Sequence, residues 1–87
     1  MAMRVAVVSP EKQIWSGEAE MVIARTLDGE IGVLEGHIPL LGVLAEDGEV
    51  RIRTVGAGSE VTAKVSGGFL SVTKEGVSIL AERAELA

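Results

Sequence analysis

Apolar and polar residues alternate with a period of two along much of this chain, most cleanly from Glu49 to Val55, where Val50, Ile52 and Thr54 face one way and Arg51 and Arg53 the other. Glu60 to Ser66 repeats the pattern with Val61, Ala63 and Val65 inward. Met3 to Val8 is a nearly continuous apolar strand that Ser9-Pro10-Glu11-Lys12 turns. Ile14 and Trp15 resume extended structure and Ser16-Gly17 predicts a bend or bulge. The next strand covers Ala19 to Leu27, with Met21, Ile23 and Arg25 sharing a face. Asp28-Gly29 is a hairpin signal, and Glu46-Asp47-Gly48, Gly56-Ala57-Gly58-Ser59, Gly67-Gly68 and Lys74-Glu75-Gly76 read as further turns. Strands at Phe69 to Thr73 and Val77 to Ala81 complete the series. Turns recurring every eight to ten residues predict an all-β sandwich or barrel. No helical period survives over a useful length. Only Glu82 to Ala87, rich in Glu, Ala, Arg and Leu, has the composition to start a helix, and it is too short for more than a helical stub.

Between Gly29 and Leu41 the pattern breaks. Three glycines, Pro39 and the chain's single histidine, His37, interrupt an apolar run. Glycine admits backbone angles closed to other residues, and Pro39 biases Ile38 toward extended geometry, so the segment cannot be one long strand. It reads as a short strand at Glu30 to Leu34, a structured loop at Glu35 to Pro39 and a second short strand from Leu40 to Leu44. This is a surface made to be touched.

Composition narrows the function. The 87 residues make one domain, 1–87, and a domain this small buries only roughly 60 to 65% of its unfolded surface, which leaves little room for a deep enclosed active site. Trp15 and Phe69 are the only aromatics, so the core must be built from Val, Ile, Leu and Ala. The net charge of −5 comes with singly scattered basic residues, which excludes the concentrated positive face that nucleic acid requires. Without cysteine there is neither a disulfide nor a thiolate metal site, which fits a cytosolic protein. No apolar run approaches the ~20 residues of a membrane helix, so a membrane contact would pass through another protein.

The candidate chemistry is thin. His37 has no cysteine and only Glu30 and Glu35 near it, too few ligands for zinc, and no nucleophile is paired with it. The glycines at 29, 32 and 36 lack P-loop spacing and the Lys-Ser or Lys-Thr that follows it. These residues imply no catalytic site, no metal and no cofactor. Glu30 and Glu35, on a glycine-rich loop with apolar neighbours, are either solvated charges or an acidic docking patch for a basic partner. Lys74 in its hairpin turn is where lipoyl and biotinyl carrier domains present their modified lysine, although its flanks lack the methionines usual for biotin.

Four stretches taken in order resemble the epsilon subunit of F-type ATP synthases: Ile14-Trp15-Ser16-Gly17-Glu18-Ala19, the Gly29 to Leu41 run GEIGVLEGHIPLL, Val65-Ser66-Gly67-Gly68-Phe69-Leu70 and Val77-Ser78-Ile79-Leu80-Ala81-Glu82. The resemblance runs from about Val5 to Glu85. It implies a small flattened β-sandwich of about ten short, mostly antiparallel strands, acting as a noncatalytic rotor subunit between the gamma subunit and the c-ring, peripheral at the cytoplasmic face of the bacterial plasma membrane. Carried over residue by residue, Glu30, Ile31, Gly32, Glu35, Gly36, His37 and Ile38 fall where the family approaches the c-ring and gamma. Ser9 and Gly42 fall on the side expected to touch gamma. One face should be apolar enough to mark that site, with Ile31, Val33, Ile38 or Leu40 among the exposed contacts.

Two departures stand out. The family usually has proline where this chain has Glu35, so Glu35→Pro is expected to stabilise the domain. Most members also continue into a two-helix C-terminal domain that inhibits hydrolysis and in some members binds ATP. Here the sequence ends at Ala87, so neither helix-mediated inhibition nor ATP binding is expected.

Overall fold

The computed structural model describes residues 3–36, 38–55 and 60–86. The predicted turn at Gly56 to Ser59 and His37 lie outside the described residues. Seven strands follow in order: β1 (Met3–Val8), β2 (Gln13–Thr26), β3 (Gly29–Leu34), β4 (Leu40–Val43), β5 (Gly48–Thr54), β6 (Glu60–Thr73) and β7 (Gly76–Leu86). They form one sheet ordered β1-β7-β6-β5-β2-β3, and β1 also pairs with β2, so five strands close into a flattened ring with β3 hanging on β2 and β4 on β6. All pairings are antiparallel except β1 with β7, which is parallel.

The all-β expectation holds, but with seven strands rather than about ten, because β2, β6 and β7 run through points where the sequence suggests interruptions. Gly17 does not bend the chain. It pairs with Val5 in unbroken register, and its missing side chain leaves room for the Trp15 indole, whose Cζ2 would lie 2.9 Å from a Cβ there. The irregularity comes later, where Ala19 pairs with Thr54 but Met21 pairs with Arg53, leaving Glu20 as the extra residue of a bulge. The bulge reverses the phase of β2: Ala19 is buried before it, and Val22, Ala24 and Thr26 after it. Met21, Ile23 and Arg25 do share a face, and it is the outer one.

Gly67-Gly68 likewise does not turn the chain. Both have positive φ, 67° and 106°, and they kink β6 while its pairing with β7 continues from Ser66 with Arg83 to Gly68 with Ala81. Before the kink β6 pairs with β5, after it with β4. A Cβ on Gly68 would collide with the Leu80 carbonyl and approach Ala81 Cα at 2.8 Å, so only glycine lets β7 pass this close. The C-terminal end is also strand: Lys64, Val65 and Ser66 pair with Glu85, Ala84 and Arg83, so ladder hydrogen bonds replace the helical composition of Glu82 to Leu86.

The core is aliphatic as expected. Val5, Val7, Val22, Val33, Leu44, Val50, Ile52, Leu70 and Ile79 are the largest fully buried side chains. Trp15 only packs against the edge of this cluster, and Phe69 is 48% exposed. The buried polar side chain Thr26 is satisfied within its own hairpin, where its Oγ1 donates to the Gly29 carbonyl at 2.9 Å and accepts the Asp28 N–H at 3.2 Å.

Candidate functional site

The residues expected to meet a partner divide between two regions. Glu30, Ile31 and Gly32 lie on β3, and Glu35, Gly36 and Ile38 on the loop that follows it. Gly36 has φ +85°, the conformation demanded at the third position of a type II turn. Ile38 is 75% exposed, and with Glu35, Pro39 and the Lys74-Glu75 turn it rims a groove of about 640 Å³ at one end of the ring. The other apolar contacts expected here are corrected: Val33 is fully buried, and Ile31 and Leu40 are half-buried against the core. The β2 bulge causes this, because it sets the phase of the β2–β3 hairpin so that Ile31 and Val33 oppose the buried Ala24 and Val22.

Glu30 is not a free carboxylate. Its Oε2 lies 3.7 Å from Arg51 Nη2 on the outer face, an ion pair in which both side chains are about half exposed. Such a pair is worth little to stability and yields to a competing partner.

Ser9 and Gly42 belong to the second region. Ser9 closes its own turn: its N–H donates to the Lys12 carbonyl at 2.9 Å and its Oγ donates to the same oxygen at 3.2 Å. It borders a shallow depression of about 570 Å³ whose walls include Leu27, Val43, Phe69 and Leu80. Gly42 faces inward, since a Cβ there would meet Thr26 Cγ2 at 3.3 Å. The outward residues are its neighbours Leu41, 71% exposed, and Val43.

Strand register makes this second region one surface. Val43 pairs with Phe69, Phe69 with Leu80 and Leu80 with Val8, an apolar row across β4, β6, β7 and β1. The adjacent row runs Leu41, Ser71, Ser78, Ala6. Neither row holds a charged side chain. Sequence reasoning missed Leu27, Leu41, Val43, Phe69 and Leu80. The available signal was alternation itself, because Phe69 and Leu80 flank the buried Leu70 and Ile79 and must therefore point out. Among the described residues no cluster of His, Cys, Asp or Glu could hold a metal ion. Lys74 stands in an exposed two-residue turn between paired Thr73 and Gly76.

A profile of the ATP synthase Delta/Epsilon chain, beta-sandwich domain, matches residues 2–87. The chain belongs to this family. It is 62% identical over 86 residues to the ATP synthase epsilon chain of Frankia casuarinae, covering 99% of both chains. It is 52% identical to that of Thermobifida fusca, covering 95% of this chain and 61% of the relative, and 53% identical to that of Rhodococcus opacus, covering 69% of the relative. It therefore spans nearly all of one epsilon-chain relative and about two-thirds of others. Among solved structures, a chain of the Euglena gracilis mitochondrial ATP synthase, in an assembly of OSCP, F1 and c-ring, superposes with a TM-score of 0.88 at 25% identity, over 98% of this chain and 53% of that one. A chain of the Tetrahymena thermophila mitochondrial central stalk and c-ring shares the fold with a TM-score of 0.76 at 17% identity. An epsilon chain is a noncatalytic subunit of the ATP synthase complex, and nothing in this assignment supports a carrier role for Lys74.

Proposed function

We propose that this epsilon-family domain is a rotor element that docks gamma through the apolar row across β4, β6, β7 and β1 and meets the c-ring through β3 and the loop after it. The observation that carries the reading is the apolar row Val43–Phe69–Leu80–Val8, continuous across four strands and bordered by Leu27 and Ser9. Large apolar side chains contiguous on a small acidic domain mark an interface. A face of this size is within reach of the roughly 1,200 to 2,000 Å² of a stable pair. Ser9 borders this face, and Gly42 lies on β4 between its outward residues Leu41 and Val43; both are residues that the family resemblance assigns to the gamma side. The carboxylates of Glu30 and Glu35 lie on a different part of the surface, suited to a polar or basic partner such as c-ring loops. Through these contacts the domain sits peripherally at the cytoplasmic face of the bacterial membrane. Its mechanical contribution is stiffness: a closed ring of hydrogen-bonded strands resists shear between two partners that must turn together.

The test is to mix the chain with gamma from the same source and measure the mass of the product by size-exclusion chromatography with light scattering. A one-to-one complex is expected, and Phe69→Glu, which charges the centre of the row without touching the core, should abolish it. A Phe69→Glu protein that binds gamma like the parent would reject this face as the site.

A further inference from the structure

Of the β3 residues that the rotor reading assigns to a partner, only Glu30 offers a side chain, and Leu34 at the end of the strand is the other exposed one. Ile31 turns to the core, Val33 is buried, and Gly32 has none. What β3 offers besides these is main chain. The Arg25 carbonyl accepts the Ala45 N–H, and the Leu27 N–H, just past the end of β2, donates to the Val43 carbonyl, so these groups point away from β3. By antiparallel alternation Thr26, Ala24 and Val22 are the residues of β2 that bond Gly29, Ile31 and Val33. The main-chain groups of Glu30, Gly32 and Leu34 therefore point outward. Among the described residues β3 is the end of the sheet and pairs with β2 alone, and Glu30 and Gly32 are solvent-exposed. Edges of this kind are commonly guarded by charged side chains, proline or a bulge; β3 carries no proline or bulge, and its one charged residue, Glu30, lies against Arg51.

We propose that the outer edge of β3 binds an extended segment of a partner protein by main-chain pairing, as an added strand, with basic or polar side chains on that segment. The charged residues from Asp28 to Gly36 are Asp28, Glu30 and Glu35, all carboxylates, which complement a basic strand. They oppose self-association, because a second copy would line the same ladder with carboxylates from both chains. The inference rests on the rotor reading for its choice of partner and explains why glycine and an inward isoleucine occur at contact positions: such an edge is recognised through its backbone.

Gly32 separates this from side-chain recognition. Gly32→Pro removes an outward N–H while leaving the bonds to β2 intact, and proline is tolerated on an edge strand in that orientation. Gly32→Ala keeps the N–H, and its methyl meets only the mobile Met21 Cε, at 3.3 Å. Binding to a detergent-solubilised gamma–c-ring complex of the same source is expected to weaken about tenfold or more for Gly32→Pro and to change little for Gly32→Ala. In parallel, hydrogen–deuterium exchange of the unmodified chain should show the 29–34 segment gaining slow amides at Glu30, Gly32 and Leu34 in the complex. This second measurement decides the matter if Gly32→Pro does not fold. Binding by the parent chain without added protection in 29–34 overturns the edge proposal and leaves the rotor reading intact. Failure of the parent to bind overturns both. Protection that grows with the concentration of this chain alone overturns the choice of partner in favour of a second copy.

Discussion

Replacing Glu35 by proline should stabilise this domain, and the structure says why. Glu35 precedes Gly36, whose φ of +85° is that of the third position in a type II turn, and proline is favoured at the second. Leu34, the residue that proline would constrain, is already extended as the last residue of β3. Fixing φ at 35 then removes freedom mainly from the unfolded chain, worth about 0.4 to 1 kcal/mol. In a domain of this size that corresponds to a rise in melting temperature of about 2 to 8 °C, or a shift of about 0.4 to 1 M in the urea midpoint at a slope near 1 kcal/mol/M. Removing a carboxylate from a chain of net charge −5 acts in the same direction, so Glu35→Ala serves as the control, and the gain of proline over alanine isolates the entropic part. Thermal melts by circular dichroism and urea titrations on the three proteins suffice. A Glu35→Pro protein that melts below the Glu35→Ala protein would refute the turn assignment, because it would mean that the native backbone at 35 cannot accept the proline angle.

Gly68→Ala should cost about 3 kcal/mol or more, since its Cβ meets the backbone of β7 at a positive φ; a soluble, native-like melt within a few degrees of the parent would contradict the close passage of β7. Ile52→Ala, at a fully buried position, should cost about 2 to 5 kcal/mol, whereas Leu41→Ala, 71% exposed, should fall within about 0.5 kcal/mol in the same urea titration. Thr26→Val leaves the Asp28 N–H and Gly29 carbonyl without their side-chain partner and should cost about 1 to 2 kcal/mol, with faster amide exchange confined first to the β2–β3 turn.

Much of the strand pattern was legible in the sequence because local chemistry decides it. Met3 to Val8, the inward Val50 and Ile52 of β5 and the Lys74-Glu75 turn follow from alternation and turn residues alone, and so does the hairpin near Asp28-Gly29, although its turn is Leu27-Asp28 with Gly29 already paired to Thr26. The family was legible for a different reason, since the order and spacing of the Gly29 to Leu41 run and of Ser66-Gly67-Gly68-Phe69 are specific to it. Where the sequence misled, the deciding forces were nonlocal. Gly67-Gly68 reads as a turn because paired glycines usually reverse a chain, yet here β7 on one side and β5 and β4 on the other hold β6 straight through the kink. Glu82 to Leu86 has helical composition, but β6 offers it a ladder of hydrogen bonds that a few residues of isolated helix cannot match. A single bulge at Glu20 sets which side of β2 and β3 is inside, and no pattern of one strand can announce it. The sequence by itself determined that this would be an aliphatic all-β domain with a glycine-rich contact segment. Only the tertiary structure decided which side chains that segment presents, because facing outward is a property of register between strands, and register is set where distant parts of the chain meet.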